Sequence, residues 1–510
     1  MDAWRVTPDD LKKYPHFDAF ISPEKATVYV TNPGCVSQHP FYPFMHYKQR
    51  WTRFAPKGQT GAVKERPIRY AARLDAYIFS YYRHILSNLY EEELRHAKLG
   101  DSVLAYRHIP IPGGRSGKSN VHFAADAVRK IQELGDCCAI ALDISSFFES
   151  LDHATLKQLW SRLLNVERLP EDHFQVFKAI TQYSVVDKVE VYERLGHFGE
   201  KVSARTGNRV KGYLTSHRKI PTHLCDGKEF REKIAGGGGG RSIIKKNSEP
   251  YGIPQGAPLS DLLANLYLID FDETVAGWLR SAGGAYYRYS DDILALVPGA
   301  ESTGKQLAER IRELIPKYGD RIQIKKEKSS LFVFRRNGNH QTCELIEGTQ
   351  GKNGLEYLGF RYNGKRVYVR NATISILRRK VAQAAFRAAD SSARRYPDKD
   401  SPALKSMFNY QDFIKRFGRV EDFAESRKDY KKWTFWTYAT RAVREFGMMG
   451  KPILHQLRKH ERLIRWRVDK ELDEAVIRRE RRRVRRPMSS NCDLVGSSAT
   501  SGTCYDEGAK

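Results

Sequence analysis

The chain has 510 residues, of which 41% are apolar and 11% aromatic, so it can bury substantial cores and is not disordered as a whole. Its Lys and Arg outnumber its Asp and Glu by 87 to 60, a formal charge of +27. This excess favours a polyanionic partner because each neutralised phosphate releases counterions; a generically basic protein is the alternative. Seven cysteines without metal-ligand spacing, and no stretch typical of a signal peptide or a membrane span, predict a reduced, cytoplasmic protein without membrane contact.

The first half of the chain predicts helices around one buried strand. Residues 74–94 and 121–134 have the apolar periodicity of amphipathic helices, and residues 150–180 also favour helix. Between them, the run CCAIALDI at 137–144 is short and apolar, which predicts a buried strand that ends at Asp143.

Residues 185–250 differ from their surroundings because they are polar, basic and rich in glycine. The run AGGGGGR at 235–241 predicts a flexible linker or a mobile loop. A loop that cradles phosphate is the alternative, although the run lacks the lysine pattern of such loops. Order resumes at Pro258, where the leucines that follow have helical spacing.

A hairpin is predicted at 285–297, where strand-forming residues flank a polar pair, Asp291 and Asp292. The two aspartates therefore belong at its tip. Further along the chain, the dipeptide Asn363–Gly364 lies between strand-like runs and predicts a second hairpin with a two-residue type I′ turn.

The chain from about residue 372 onward predicts basic helices. Residues 478–486 hold seven arginines in nine positions and predict a grip on an RNA backbone, with a solvated helix or a subunit contact as the alternative. The arginines proposed for this grip are Arg478, Arg479, Arg481 and Arg482. Residues 488–510 are rich in Ser, Gly and Thr and are predicted to be disordered.

Three acidic residues carry the chemistry. In the simplest interpretation Asp291 and Asp292 only form a polar turn, because Asp is common in turns. Asp143 also ends a predicted strand, and the three carboxylates together offer the hard oxygen atoms that Mg²⁺ prefers. A pair of such ions can activate a hydroxyl and stabilise a leaving oxygen. The residues therefore favour metal-assisted phosphoryl transfer on nucleic acid.

Several segments, in this order along the chain, resemble the motifs of reverse transcriptases. ALDISSFFESLDH, YGIPQGAPLSDLLANLYL and YRYSDD resemble motifs A, B and C, IKKEKSSLF resembles motif D, and YLGF resembles the primer-grip hairpin. Upstream, KERPIRYAARLDAYIFSYY and VLAYRHIPIPGGRSGKSNVHFA are similar to the fingers motifs of the bacterial defence-associated "unknown group", relatives of retron and abortive-infection enzymes. The resemblance covers roughly residues 60–365.

The resemblance implies roles for particular side chains. Asp143 matches the motif A metal ligand, and Asp291 and Asp292 match the motif C pair. Phe148 matches the steric gate that leaves no room for a 2′-hydroxyl, with Phe147 as the alternative.

The other implied roles are contacts to the incoming nucleotide. The motif B turn contributes Gln255 and Gly256, the motif D proton donor to pyrophosphate is Lys328, and the triphosphate contacts of the fingers are Arg66 with Lys64 as a weaker companion. Neighbouring cations compete for the last two roles: Lys325 and Lys326 in motif D, and Arg69, Arg73 and Arg107 in the fingers.

The fold that the resemblance implies is α+β, a right-hand polymerase with fingers, palm and thumb and an α-helical C-terminal extension. The expected parts are an N-terminal extension (1–59), fingers and palm (60–365, with 185–250 as a basic insertion), a helical thumb with a C-terminal helical domain (366–487) and a tail (488–510).

The implied function is RNA-templated DNA synthesis from dNTPs in antiphage defence, with Mg²⁺, or Mn²⁺, as the cofactor. The expected partners are an RNA template, a dedicated noncoding RNA, the DNA product and further copies of the chain. Template-independent or protein-primed synthesis, an intron maturase, and a nucleic-acid-binding effector with a disused polymerase fold stay open as alternatives. The role of the insertion also stays open: it could bind RNA, contact another subunit or cover the active site.

Overall fold

The computed structural model describes residues 4–52, 61, 63–114, 116–203, 207–348, 351, 353–418 and 434–484. The side chains of Lys64 and of residues 482–484 lie outside this description. The tail at 488–510, for which disorder is predicted, lies outside the described residues as well. Within them, no helix is long and apolar enough to cross a membrane.

Strands and helices alternate along the described chain. The strands are β1 (Phe44–Thr52), β2 (Val63–Tyr70), β3 (Cys137–Ser145), β4 (Ser184–Asp187), β5 (Phe198–Val202), β6 (Arg209–Tyr213), β7 (Lys245–Lys246), β8 (Ala285–Tyr289), β9 (Asp292–Pro298), β10 (Gln323–Ile324), β11 (Ser330–Asn337), β12 (His340–Glu347), β13 (Leu355–Tyr357), β14 (Phe360–Tyr362) and β15 (Val367–Val369). The helices are α1 (Pro23–Val30), α2 (Pro33–Ser37), α3 (Arg73–His96), α4 (Asn120–Leu134), α5 (Phe147–Ser150), α6 (His153–Leu163), α7 (Glu171–Thr181), α8 (Lys188–Arg194), α9 (Gly227–Glu229), α10 (Ser260–Tyr267), α11 (Ile269–Ser281), α12 (Glu301–Leu314), α13 (Asn371–Arg395), α14 (Ser401–Met407), α15 (Tyr410–Phe417), α16 (Phe435–Phe446), α17 (Lys451–Leu457) and α18 (His460–Val484).

The palm is an antiparallel sheet with β3 at its centre. The strand order is β12-β11-β3-β9-β8, and β10 pairs with the end of β3. Because side chains alternate along a strand, Cys138 and Ile140 enter the main core, whereas Cys137 and Ala139 enter the second core beneath the C-terminal helices. A strand that is buried on both faces explains the continuous apolar run, and the strand predicted at 137–144 is present.

The fingers sheet has the order β2-β1-β4-β7, and its last two strands belong to the insertion at 185–250 or border it. Most of this insertion is folded, and the run at 235–241, predicted to be a linker or loop, contains no helix or strand. The apolar residues of the insertion, Val191, Ile220 and Ile234 among them, bury in a third core around Met45. The expected boundary between residues 59 and 60 also needs correction, because β1 pairs with β2 across it.

The C-terminal part packs helices α13 and α16 to α18 around the small sheet β13-β14-β15 and shares the second core with the palm. The turn between β14 and β15 has four residues rather than two, since Tyr362 pairs with Val367. A type I′ turn requires positive φ at both central residues, but only Gly364 has it, with φ of 88°. The Asn363 side chain instead accepts the N–H groups of Lys365 and Arg366.

Candidate active site

The three acids of the sequence analysis lie together at one end of the palm sheet. Asp143 on β3 is the direct register partner of Asp292, the first residue of β9. The turn that precedes β9 is tied to β3 as well, because the Ile144 N–H donates to the Asp291 carbonyl at 3.0 Å. Residues far apart in the sequence are thus brought together by backbone pairing.

A buried polar network holds the hairpin that carries Asp291 and Asp292. The Arg288 side chain is fully buried and donates to Asp272 on α11, with Nε 2.7 Å from Oδ1, and to Asn265 on α10, with Nη1 3.0 Å from Oδ1. These contacts fix β8 against two helices. The sequence analysis missed Arg288, although a charged residue inside an apolar strand is a signal that a buried partner exists.

The carboxylates at the hairpin tip repel one another. Burial, followed by the charges of Asp291 and Asp143, raises the pKa of Asp292 to about 7. Burial and the Asp143 charge also raise the pKa of Asp291, which Lys328 and Arg66 partly offset. The cluster therefore has a deficit of positive charge.

Two cations face this cluster from neighbouring elements. Lys328, between β10 and β11, has its Nζ 2.6 Å from Asp143 Oδ1, so the predicted motif D lysine contacts a predicted metal ligand. Arg370, just before α13, lowers the pKa of Asp292 and pairs with Glu356 at 3.0 Å. The sequence analysis missed Arg370, which no motif marks.

The chemistry of these side chains fits a divalent cation: hard carboxylate oxygens, like charges that need neutralising, and an ammonium group already standing at Asp143. The geometry is less complete. Among the residues that the structure describes, no three His, Cys, Asp or Glu side chains converge closely enough to hold a metal ion as they stand. The metal ligand set therefore stays a prediction.

Phe147 and Phe148 begin α5, directly after the end of β3. Phe147 is 3% exposed and belongs to the main core, whereas Phe148 is half-buried and packs against that core, with its ring centroid 5.9 Å from that of Phe147. The Phe148 carbonyl accepts the Ile253 N–H at 2.8 Å, which places it beside the segment leading to Gln255. Of the two rings, Phe148 is the one that remains available for the steric gate; this role stays a prediction.

The predicted motif B turn, Gln255 and Gly256, lies against the fingers. The Arg69 N–H donates to the Gln255 carbonyl at 3.2 Å. Gly256 has φ of 116°, and a Cβ at this position would lie 2.3 Å from the Arg69 carbonyl oxygen. Only glycine permits this approach between the palm and β2.

The fingers residues that are candidates for contacts to the triphosphate lie in different environments. Arg66 on β2 is exposed, and its charge lowers the pKa of Asp291, as a phosphate-binding residue beside the site requires. Lys64 pairs with Trp51 through its backbone. Of the competing arginines, Arg73 is buried and pairs with Asp18 at 3.0 Å, and Arg107 pairs with Glu91 at 2.7 Å, so both have structural partners.

The arginines of α18 lie far from this cluster in the sequence and make contacts of their own. Arg478 packs over the Phe386 ring at 4.5 Å and pairs with Glu474 at 3.3 Å. Arg479 donates to the Tyr396 carbonyl at 3.0 Å. These two side chains attach α18 to α13, and Arg481 is exposed; the side chain of Arg482 lies outside the described residues.

Residues 240–362 match the model of the family described as "Reverse transcriptase (RNA-dependent DNA polymerase)". The match indicates a reverse transcriptase domain at these residues. Enzymes of this family are RNA-directed DNA polymerases, that is, nucleotidyltransferases, and they use divalent metal ions. The matched range contains the motif B, C and D residues of this reverse transcriptase domain and leaves Asp143 and the fingers outside. No curated protein matches the sequence.

The solved structures with a detectable similarity to the chain include telomerases. Apo telomerase from Candida tropicalis, truncated from its C-terminal domain, is 13% identical with a TM-score of 0.35, and the match covers 61% of this chain and 53% of that one. Apo telomerase from C. tropicalis is 11% identical with the same TM-score, covering 84% and 64%. The chain thus spans about half to two thirds of the length of these structures. At such scores the likeness establishes no activity, and the fold class rests on the family match and the sheet topology.

Proposed function

We propose that the chain copies an RNA template into DNA from dNTPs, with Asp143 and Asp291 as metal ligands and Asp292 as the supporting carboxylate. The observation that carries the proposal is the direct pairing of Asp143 with Asp292 across adjacent palm strands. The family match, which includes Asp291 and Asp292, supports the reaction class.

The reaction joins the primer 3′-hydroxyl to the α-phosphate of a dNTP and releases pyrophosphate. Bound Mg²⁺ would supply Lewis acidity toward the hydroxyl and the phosphate oxygens. Lys328 stands beside Asp143 with an ammonium proton to give to the pyrophosphate leaving group, and Arg66 supplies positive charge for the triphosphate. Phe148 borders the same site and would exclude a 2′-hydroxyl by contact with the sugar.

The test is extension of a DNA primer on an RNA template with dNTPs and Mg²⁺. Asp291→Asn combined with Asp292→Asn should lower the rate about a thousandfold or more, because charge stabilisation of several kcal/mol is lost. The matched control is Asp152→Asn. The Asp152 side chain caps α6 by accepting the Thr155 N–H at 2.7 Å, and Asn caps equally well, so this variant should extend the primer at the unchanged rate. A double variant that extends normally would exclude the assigned site.

The same assay addresses the alternative modes of synthesis. Product that forms without template would favour template-independent polymerisation by the same site. A covalent nucleotide on the purified protein, detected by mass spectrometry, would favour protein priming, for which Tyr505 is a candidate outside the described residues.

The antiphage role, a dedicated noncoding RNA and self-association are proposed on the resemblance of the sequence motifs alone. Phage plating on cells that carry the chain should fall relative to cells that carry the double Asn variant. RNA that copurifies with both forms should be sequenced to identify the template. Protection that persists in the double variant would instead favour the binding-effector or maturase alternatives.

A further inference from the structure

The insertion extends the fingers sheet by two strands, β4 and β7. β4 adds to β1 in parallel, and β7 pairs with β4 as the edge strand. Lys245 and Lys246, the two residues of β7, are both exposed. The Asn247 side chain anchors the strand by donating to the carbonyls of Thr181 and Tyr251, at 2.9 Å and 3.2 Å.

The two sides of this sheet face different cores. Phe44 and Val185 pack on the main core, and their neighbours Met45 and Val186 pack on the core of the insertion. We call the first side the inner side. Lys245 pairs with Val185, and Lys246 pairs with Ser184, so alternation of side chains places Lys245 on the inner side and Lys246 on the other.

Three further basic residues share the inner side. His46 and Lys48 follow Phe44 at the alternating positions of β1, and Arg69 is the register partner of His46. We refer to Lys245, His46, Lys48 and Arg69 as the inner row. It crosses the sheet from the edge strand of the insertion to β2, three strand spacings or about 14 Å.

The acids that the structure describes beside the inner row leave two of its donors without a hydrogen bond. Arg69 Nε and Nη1 are buried without a hydrogen-bond partner among the described residues; Glu149 lies 4.0 Å away and the Tyr183 ring 5.4 Å. Burial, and then the charges of Arg69, Lys48 and Lys245, lower the pKa of His46 against the opposing effect of Asp187. A second acid, Glu65, pairs with Lys48 at 3.1 Å.

The inner row ends at the candidate active site. Arg69 donates its backbone N–H to Gln255, the first residue of the motif B turn. At the other end, the chain runs from Lys245 through the anchored Asn247 and reaches Gln255 within ten residues. Both ends of the inner row are therefore linked to this turn, by a backbone hydrogen bond at Arg69 and by a ten-residue segment from Lys245.

We propose that the inner row binds the backbone phosphates of the unpaired template strand before that strand reaches the active site. This inference rests on the proposed function for the identity of the strand. The Arg69 guanidinium, whose Nε and Nη1 lack a hydrogen bond among the described residues, and the exposed ammonium of Lys245 both suit phosphate oxygens. Proteins that track single strands place cations along the path of the backbone. The insertion would thus lengthen the template path by two strands of sheet.

The experiment compares two primer–template hybrids, one blunt and one with ten unpaired template nucleotides, by fluorescence anisotropy at several salt concentrations. Lys245→Ala should weaken binding of the overhang hybrid about threefold or more and lower its salt slope by about 0.7, the value for one contact to a single strand. Binding of the blunt hybrid should not change. Arg69→Gln should give a larger loss on the overhang hybrid.

The matched control is Lys246→Ala, which removes an equally exposed lysine from the same strand but from the other side. Equal losses in both lysine variants, or on both hybrids, would overturn the proposal in favour of a general electrostatic effect. A changed oligomeric state of Lys245→Ala in light scattering, with overhang binding intact, would assign this side to a subunit contact instead. The measurement needs no catalysis, so overhang binding by a protein that fails to extend primers would refute only the proposed function.

Discussion

The palm and the fingers approach each other with opposite charge, and each is electrostatically incomplete by itself. The palm contributes carboxylates, and burial together with their mutual repulsion raises the pKa of Asp292 to about 7. The fingers contribute the inner row, in which Arg69 has donors without partners among the described residues. A cation can complete the first region and a phosphate the second. Nucleic acid together with a divalent cation supplies both.

The buried pair of Arg288 on β8 and Asp272 on α11 shows a charge arrangement that is balanced within the protein itself. Arg288 and Asp272 are both fully buried, and every hydrogen-bonding group of this pair is directed at a protein partner. Only two residues, Tyr289 and Ser290, separate Arg288 from the repelling pair at the hairpin tip. The contrast separates charges that hold the fold from charges that await a ligand.

The largest expected effect is a loss of stability at the buried pair of Arg288 and Asp272. Arg288→Met leaves Asp272 buried without its cation, which should lower the free energy of unfolding by about 3–5 kcal/mol. Denaturant unfolding measures this loss. Arg335→Met is the control, because Arg335 and its partner Glu344 are exposed and such pairs contribute about 0–1 kcal/mol. Similar losses in both variants would show that the buried pair stabilises the fold no more than the exposed pair does.

A smaller but specific effect is expected at Phe148. Phe148→Ala should reduce the preference for dNTPs over ribonucleotides by up to about a hundredfold, the range over which an apolar pocket rejects a hydroxyl. Single-nucleotide incorporation kinetics give this ratio. Phe147→Ala is the comparison: it should lower stability by about 3–5 kcal/mol without changing the preference. A changed preference only in the Phe147 variant would reverse the assignment of the two rings.

The contact between palm and fingers can be strained at one position. In Gly256→Ala the added Cβ would lie 2.3 Å from the Arg69 carbonyl oxygen. The motif B turn must therefore move away from β2. We expect kcat/KM for dNTP to fall about tenfold in steady-state extension assays. Gly277→Ala, in α11 with no atom within 4 Å of the added Cβ, should keep full activity and add about 0.5–1 kcal/mol of stability. Equal activities of the two variants would contradict a functional role for the turn.

The smallest effect concerns pH. Because the pKa of Asp292 rises from 3.8 to about 7 on folding, the folded protein retains a proton between these values that the unfolded chain has lost. Stability without metal should therefore fall as the pH rises from about 4 to about 7. Asp292→Asn should raise Tm above pH 7, by about 1–2 °C, and have no effect near pH 4.

Thermal melts in the presence of chelator measure this pH dependence of stability. Lys328→Gln should raise the pH at which the loss of stability is complete, because the Lys328 ammonium lowers the pKa of Asp292. Added Mg²⁺ should stabilise the wild type above pH 7 more than the Asn variant. A difference between wild type and Asp292→Asn that is equal at pH 4 and pH 8 would contradict a raised pKa.

The sequence determined the elements with strong periodicity and the identity of the acids. The apolar run before Asp143 specifies a strand because burial on both faces leaves no polar position in it. The polar pair at 291–292 predicts the tip of a hairpin, where Asp291 lies in the turn and Asp292 begins β9. Motif order then supplied the candidate roles of Phe148, Gln255 and Lys328. These are local properties, readable from neighbours in the chain.

Tertiary structure decided the remainder, because it depends on contacts between distant segments. The insertion reads as polar and glycine-rich, yet Met45 and other apolar side chains from outside it complete a core that the segment lacks alone. The backbone of Arg69 meets Gln255 and its charge joins that of Lys245 only after the fingers sheet has formed. The pairing of Asp143 with Asp292 likewise follows from strand register. Composition and periodicity record which residues can be buried or charged, whereas packing selects which of them become neighbours.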